Sequence, residues 1–178
     1  MARAQAFDYL HNMRFHVSAG DQYIPLSTGN AQAGFSAVTI PEASVETVEY
    51  REGQYLYTRK YPGHVTFNNI TMSRGVAVKD TTLWEWMSTV IRGDAEYRTE
   101  LQIKHYHRAD TLPGATTPAA ENLNLTVPAK TYTVHQAFPV RCKPSSDLDA
   151  TDSAVSISEL EIAYEYMDML SSGGVAGL

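Results

Sequence analysis

The run Val45-Glu46-Thr47-Val48-Glu49-Tyr50-Arg51-Glu52-Gly53 is followed first by Tyr57-Thr58-Arg59-Lys60-Tyr61-Pro62-Gly63. His64-Val65-Thr66-Phe67-Asn68-Asn69-Ile70-Thr71-Met72-Ser73-Arg74-Gly75 comes next, and these three pieces decide how the chain is read. β-Branched and aromatic residues crowd the stretch, and Gly53 and Pro62-Gly63 punctuate it, so it reads as strands joined by a charged arm. No residue type in it is arranged for covalent chemistry. It supplies an edge to be paired, an arm, and a strand. A helix around Leu83-Trp84-Glu85-Trp86-Met87 then plugs a sheet.

Outward from this stretch the chain stays β-rich. Met13–Val17 and Phe35–Ile40 are candidate strands with Ser27–Asn30 as a turn, and Val45, Val48 and Tyr50 lie on a third. Leu101 and Ile103 alternate with Glu100, Gln102 and Lys104. Tyr132, Val134, Phe138, Val140 and Cys142 share one parity; Thr131, Thr133, His135 and Arg141 share the other, the mark of a half-buried strand. Two segments change parity midway: Val65 and Phe67 against Ile70 and Met72, and Val155 and Ile157 against Leu160, Ile162, Tyr164 and Tyr166. One extra residue in each, a β-bulge, restores a single apolar face. The last segment also fits helical spacing, but its β-branched and aromatic content favours a strand.

One helix is expected over 83–92. Thr82 and Glu85 form a capping box, and Gly93 ends the helix. Leu83, Trp84, Met87, Val90 and Ile91 make the stripe expected to pack on the sheet. The fold class is therefore mainly β: an antiparallel barrel or sandwich with one flanking amphipathic helix. Residues 1–170 read as its one domain, with 108–130 an extended Pro-, Ala- and Thr-rich insertion and 171–178 a flexible tail.

Composition removes several functions. A formal net charge of −6, from 14 basic and 20 acidic residues among 178, argues against a nucleic-acid surface binder. It suits a wall past which nucleic acid slides. A single cysteine, Cys142, forbids an internal disulfide and reads as a small core residue. No apolar run is long enough for a signal peptide or a membrane span. Cytoplasmic assembly is therefore expected, with exit by lysis or inside an assembly. The acceptor patterns at Asn69 and Asn124 then read as chance.

No nucleophile elbow, zinc-protease His-Glu pattern or phosphate-cradling glycine loop is present, so no enzyme activity and no cofactor are expected. His105 and His107 stand on one side of a strand and would bind a transition metal only with a third ligand such as His64 or His135. A small metal- or ligand-binding β-barrel is the alternative from another class, and elemental analysis separates the two. Glu42, Glu46, Glu49 and Glu52 read either as a solvated acidic stretch or as partners for Arg59 and Lys60 of another copy. Glu159, Glu161 and Glu165 oppose Leu160, Ile162 and Tyr164: an ordinary solvent face in a monomer, a polar channel wall in a ring.

Taken in order, these pieces carry a resemblance. Gly34-Phe35-Ser36-Ala37-Val38, the 45–53 run, Arg59–Gly63, Val65–Gly75 and the Asp80-x-x-Leu83-Trp84-x-Trp86 helix resemble the tail-tube proteins of contractile phages. They also resemble the inner-tube proteins of phage-derived contractile injection systems. Ala137-Phe138-Pro139, Asp147–Ala150 and the segment Val155 to Glu165 resemble the family's closing strands, so the likeness runs from about Phe7 to Met167. The resemblance implies hexameric rings stacked into a tube that conducts DNA or effector proteins in a phage virion or phage tail-like particle. Sheath, baseplate and tube-terminator proteins are the implied partners. A tube-initiator or tube-end ring is the alternative within the same particle, to which the longer 108–130 segment, a departure from the family's short turn, draws attention.

On this reading Glu159, Glu161 and Glu165, with Glu100, Gln102, Lys104 and Arg141, are the expected lumen face. The arm Tyr50–Gly63, through Tyr50, Arg51, Glu52, Tyr57, Arg59, Lys60 and Tyr61, is the expected inter-subunit contact.

Overall fold

A computed structural model describes residues 10–19, 34–77, 81–106, 128–149, 151 and 153–171. The Ser27–Asn30 turn, His107, Asn124, residues 108–127 of the expected insertion and residues 172–178 of the expected tail lie outside them. In chain order the elements are β1 (Phe15–Ala19), β2 (Ala37–Val38), β3 (Ala43–Tyr50), β4 (Arg59–Phe67) and β5 (Ile70–Gly75). Helix α1 (Thr82–Arg92) follows, then β6 (Thr99–His105), β7 (Lys130–Lys143), β8 (Ile157–Ala163) and β9 (Tyr166–Ser171).

Every pairing is antiparallel. Among the described residues seven strands form one sheet in the order β1-β6-β7-β8-β5-β2, with β9 also on β7, while β3 and β4 pair only with each other. Val17, Leu101, Ile103, Val134, Leu160, Ile162, Ile70 and Met72 line one sheet face, each at most 2% exposed. An 11-residue helix, about 16 Å long, cannot cover six strands spaced ~4.8 Å apart. The sheet must therefore curl over its own apolar face, with α1 closing what remains.

The curl has a visible cause in β7. Between Leu101↔Val134 and Thr99↔Ala137 this strand advances three residues against two on β6. Between Pro139↔Ile162 and Arg141↔Glu161 it advances two against one on β8. Each step leaves one extra residue, a bulge that bends the strand, and Gln136 beside the first takes φ 56°. These shifts correct the expected parity. Ala137 and Pro139 turn inward, while Phe138 leaves the buried set and Val140 is exposed.

The bulges expected from parity elsewhere are placed differently. Phe67 and Ile70 belong to two strands in two sheets, separated by Asn68 and Asn69. A bulge does occur in β4, nearer the tip, where Val65↔Val45 passes to Pro62↔Thr47. The β5–β8 register runs unbroken from Gly75↔Ile157 to Ile70↔Ile162, so no residue is inserted between Ile157 and Leu160. Both elements of the closing segment are strands, as the residue types favoured. The parity changes later, at Tyr164-Glu165, after which Met167 opposes buried Val134 and Tyr166 opposes His135.

Helix α1 ends on Gly93 at φ 75°, where Gly93 N–H donates to Val90 O and Asp94 N–H to Thr89 O, a Schellman closure. Its start lies one residue earlier than expected. Thr81 is the N-cap, its hydroxyl donates to the Glu85 carboxylate, and no side chain caps the backbone. The buried stripe also differs, because Leu83 and Trp86 are its buried members. Trp86 is fully buried and donates from Nε1 to Tyr97 O at 2.9 Å, whereas Trp84 and Ile91 are exposed. At 100° per residue, Leu83, Trp86, Met87 and Val90 centre on one face, and Trp84 and Ile91 fall together on its flank.

Candidate assembly surfaces

The β3–β4 ribbon is where the chain fails to cover itself. Every residue of β3 is exposed, and β4 buries none. Val45, Val48, Tyr50, Tyr61 and Val65 face solvent, although these same residue types fill the core elsewhere. Between the strands the tip turns with Tyr55 N–H donating to Glu52 O, and it lifts Leu56 and Tyr57 clear of the ribbon. The base is fixed. Asn68 donates from its backbone to Glu42 O and from Nδ2 to the Glu42 carboxylate, and Phe67 lies 5.5 Å from the Tyr164 ring. The arm is therefore longer than the expected Tyr50–Gly63, running from Ala43 to Phe67. Tyr50, Arg51, Glu52, Tyr57, Arg59, Lys60 and Tyr61 are all exposed on it.

Some of the arm's charges are satisfied locally. Lys60 pairs with Glu49 opposite it, Nζ to Oε1 at 3.4 Å, with both side chains still largely exposed. Arg59 lies 4.0 Å over the Tyr55 ring, which stiffens the tip. At Gly63 an added Cβ would stand 3.1 Å from Glu46 O and 3.2 Å from Val48 Cγ2; the bulge brings the two strands together there.

The polar residues expected on one lumen face divide into two groups. On β8, Glu159 and Glu161 alternate with buried Leu160 and Ile162, opposite Ser73 and Thr71 on one side and Lys143 and Arg141 on the other. Asn69 Nδ2 donates to Glu161 Oε1 at 2.8 Å. On β6, Glu100, Gln102 and Lys104 alternate with Leu101 and Ile103. Gln102 lies beside Ser18 and Thr133, and Lys104 beside His16 and Thr131. The first row runs along residues 138–143 of β7 and the second along residues 130–137, with a bulge in each half. Glu165 belongs to neither row. It sits in the break between β8 and β9, its N–H donating to His135 O and its carboxylate pairing with Arg98. Arg98 Nε also donates to the Tyr97 hydroxyl at 3.2 Å, and its bonds to Tyr97 first and Glu165 second hold the guanidinium further into its charged form.

Among the described residues the histidines do not converge. His105 Nε2 bonds His11 O at 2.8 Å, and His64 is exposed on the arm. His135 stacks on Tyr166 between two carboxylates, Nδ1 3.4 Å from Glu100 and Nε2 3.0 Å from Asp168. Among the described residues no group of three donors is placed to hold a metal ion. Burial, with Lys104 second, lowers the His16 pKa, and burial pushes the Cys142 thiol up, away from the reactive thiolate.

Sequence reasoning missed Leu56, Leu148 and Val155 as exposed apolar groups, and Trp86 as the core tryptophan. The signal available for Leu56 was its place between Tyr55 and Tyr57 in a segment bounded by Gly53 and Pro62-Gly63.

The sequence profile of the T4-like virus tail tube protein gp19 family matches residues 11–168. The fold is similar to a chain of an extracellular contractile injection system, the PVC sheath–tube complex in its extended state. There the TM-score is 0.73 at 23% identity, covering 96% of this chain and 100% of that one. It is similar to a chain of the anti-feeding prophage tube-terminating cap, with TM-score 0.72 at 20% identity, covering 96% and 97%. It is similar also to a chain of the PVC sheath/tube terminator, with TM-score 0.69 at 25% identity, covering 93% and 100%. No curated protein matches it in sequence.

Proposed function

This chain belongs to the T4-like virus tail tube protein family, and we propose that it forms hexameric rings that stack into the inner tube of a contractile tail or injection system. The observation that carries the reading is the Ala43–Phe67 ribbon, two strands that among the described residues pair only with each other and are exposed along their length. An isolated two-stranded ribbon is marginal in water, so one that carries Val48, Tyr50, Tyr61 and Val65 on its surface is completed by another copy. The role is structural. The chain supplies a wall, and the energetics of that wall are many modest contacts summed around a ring and along a stack.

The lumen is assigned to the Glu159–Glu161 face with Arg141, whose neighbours Thr71, Ser73 and Lys143 are polar, with Ile157 an exposed apolar residue at the Gly75 end of the same face. A hydrophilic bore lets DNA or effector protein slide without apolar adhesion. Glu100, Gln102 and Lys104, which run along the other half of β7, line the same bore only in part. A ring structure with Glu159 and Glu161 on the outer wall overturns this assignment.

Electron microscopy of the purified protein tests the main reading. Six-fold rings or tubes of uniform bore are expected, and a monodisperse monomer at high concentration would defeat it. A second reading, a tube-end ring, is favoured by the likeness to the PVC sheath/tube terminator at 25% identity. The two separate on polymer length: a main tube subunit extends indefinitely, whereas an end ring stops after one layer. Sheath, baseplate and terminator proteins are the partners in either case, within a phage virion or phage tail-like particle.

A further inference from the structure

His135 stands where three strands meet. Its ring lies nearly flat on Tyr166 of β9, with centroids 4.4 Å and planes 14° apart. Nδ1 faces Glu100 of β6 at 3.4 Å, and Nε2 faces Asp168 of β9 at 3.0 Å. The ring is largely covered, while both carboxylates reach solvent. Because β7 lies between β6 and β9, this one side chain ties together two strands that do not pair with each other among the described residues. The backbone is held at the same point. Glu165 N–H donates to His135 O, and Gln136 takes φ 56°, a left-handed value that a non-glycine residue keeps only where its surroundings enforce it.

Both ring nitrogens therefore face an acceptor. A neutral imidazole has one N–H, so it serves one carboxylate and turns a lone pair on the other; only the imidazolium donates to both. Protonation also makes both bonds charge-assisted and sets a cation over the Tyr166 ring. The charged groups nearby have other partners. Glu165 pairs with Arg98, which also donates to Tyr97, and Glu100 Oε1 accepts from Gln102 Nε2 at 3.4 Å. Lys104, further along β6, lies between His16 and Thr131, and Lys130 stands at the far end of the β7–β9 pairing, opposite Ser171.

Strand β9 is the piece that such a tie governs. It pairs with β7 alone, from Lys130↔Ser171 to His135↔Tyr166, and none of its described side chains is buried. We infer that His135 is a proton-operated latch: protonated, it clamps β9 through Asp168 while holding Glu100 of β6, and on losing its proton it breaks that tie and frees β9 to leave the β7 edge. The second N–H is used in full only when β9 is closed. Closure is therefore strongest on the acid side of the histidine range, about pH 5 to 8, and weakens as pH rises through it. An open β9 bares the Lys130–His135 edge of β7, a row of backbone donors and acceptors ready for another strand. The latch works within one chain and does not depend on assembly.

Hydrogen exchange of the β9 amides in the full chain, corrected for the intrinsic pH dependence of exchange, tests it. Protection of β9 should fall about threefold or more between about pH 6 and 8, while β8 keeps its own. Glu100→Gln discriminates a latch from a merely structural histidine. Its amide donates to Nδ1 while Nε2–H donates to Asp168, so a neutral ring meets both partners and β9 should stay protected at about pH 8. Asp168→Asn does the same from the other side, its amide donating to Nε2 while Nδ1–H donates to Glu100. In the parent chain, nitrogen NMR shifts of the ring should pass from two N–H groups to one over the interval in which protection falls. Protection of β9 that is constant with pH overturns the latch. So does a fall that Glu100→Gln and Asp168→Asn leave intact, or a ring that titrates outside that interval.

Discussion

The curled sheet and the β3–β4 ribbon are built from the same residue types and end in opposite states. Ile70, Met72, Leu160 and Ile162 are at most 1% exposed, whereas Val45, Val48, Tyr50 and Val65 are about half exposed. The sheet has a helix and its own curvature to close over its apolar face; the ribbon has only its two strands. Stability of the body is therefore an internal property of one chain. Order in the ribbon depends on what covers it, and by the tube reading that is another copy.

The comparison breaks if the body tolerates truncation of its central side chain. Trp86→Ala should cost about 3–5 kcal/mol of unfolding free energy, read by denaturant titration of dissociated protein. Trp84→Ala, on the exposed flank of the same helix, should cost far less; equal losses would place the wrong tryptophan in the core. The converse holds for the ribbon. Val48→Asp should leave the unfolding midpoint of the dissociated chain within about 0.5 kcal/mol of the parent's, yet abolish rings or stacks in the microscope. A comparable loss in both assays would show that the ribbon belongs to the body's cooperative unit.

Gly63→Val sharpens the boundary between the two regions. Its added side chain meets the Glu46 carbonyl and the Val48 side chain across the bulge, so the ribbon must spread. Assembly should weaken while the melting of the body is retained, and unchanged assembly would mean that the close approach at the bulge is dispensable. Lys60→Ala should have the smallest effect. It removes an exposed cross-strand pair with Glu49, worth under about 1 kcal/mol, and added salt should erase even that difference in a stacking assay.

Much of the plan was legible before any coordinates. Alternation at Glu100–Lys104 and Glu159–Ile162 marked strands with one apolar face, because side chains alternate across a pleat whatever surrounds it. Gly93 marked the end of the helix because only a left-handed residue closes that turn cheaply. The arm's charged and aromatic composition marked a segment made for contact, and the order of the pieces carried the family resemblance.

The candidate surfaces were less legible. Glu165 was placed with Glu159 and Glu161 by counting, but the break at Tyr164-Glu165 turns it to Arg98 instead. Phe138 and Val140 were counted inward, and two bulges in β7 carried Ala137 and Pro139 there. Trp84 and Trp86 differ by two positions on one helix, and both are apolar enough for the core. Which one is covered depends on where the helix axis settles on β7.

By itself, then, the sequence determined periods: which residues share a face, where a helix must stop, and that the chain is a β-rich assembly component. The tertiary structure decided covering. A period relates neighbours along the chain, whereas burial is set by partners brought in from far away along it. A single inserted residue is enough to exchange inside for outside. That is why the valines of β3 and Ile70 of β5, alike in their strand propensity, stand on opposite sides of the boundary between chain and assembly.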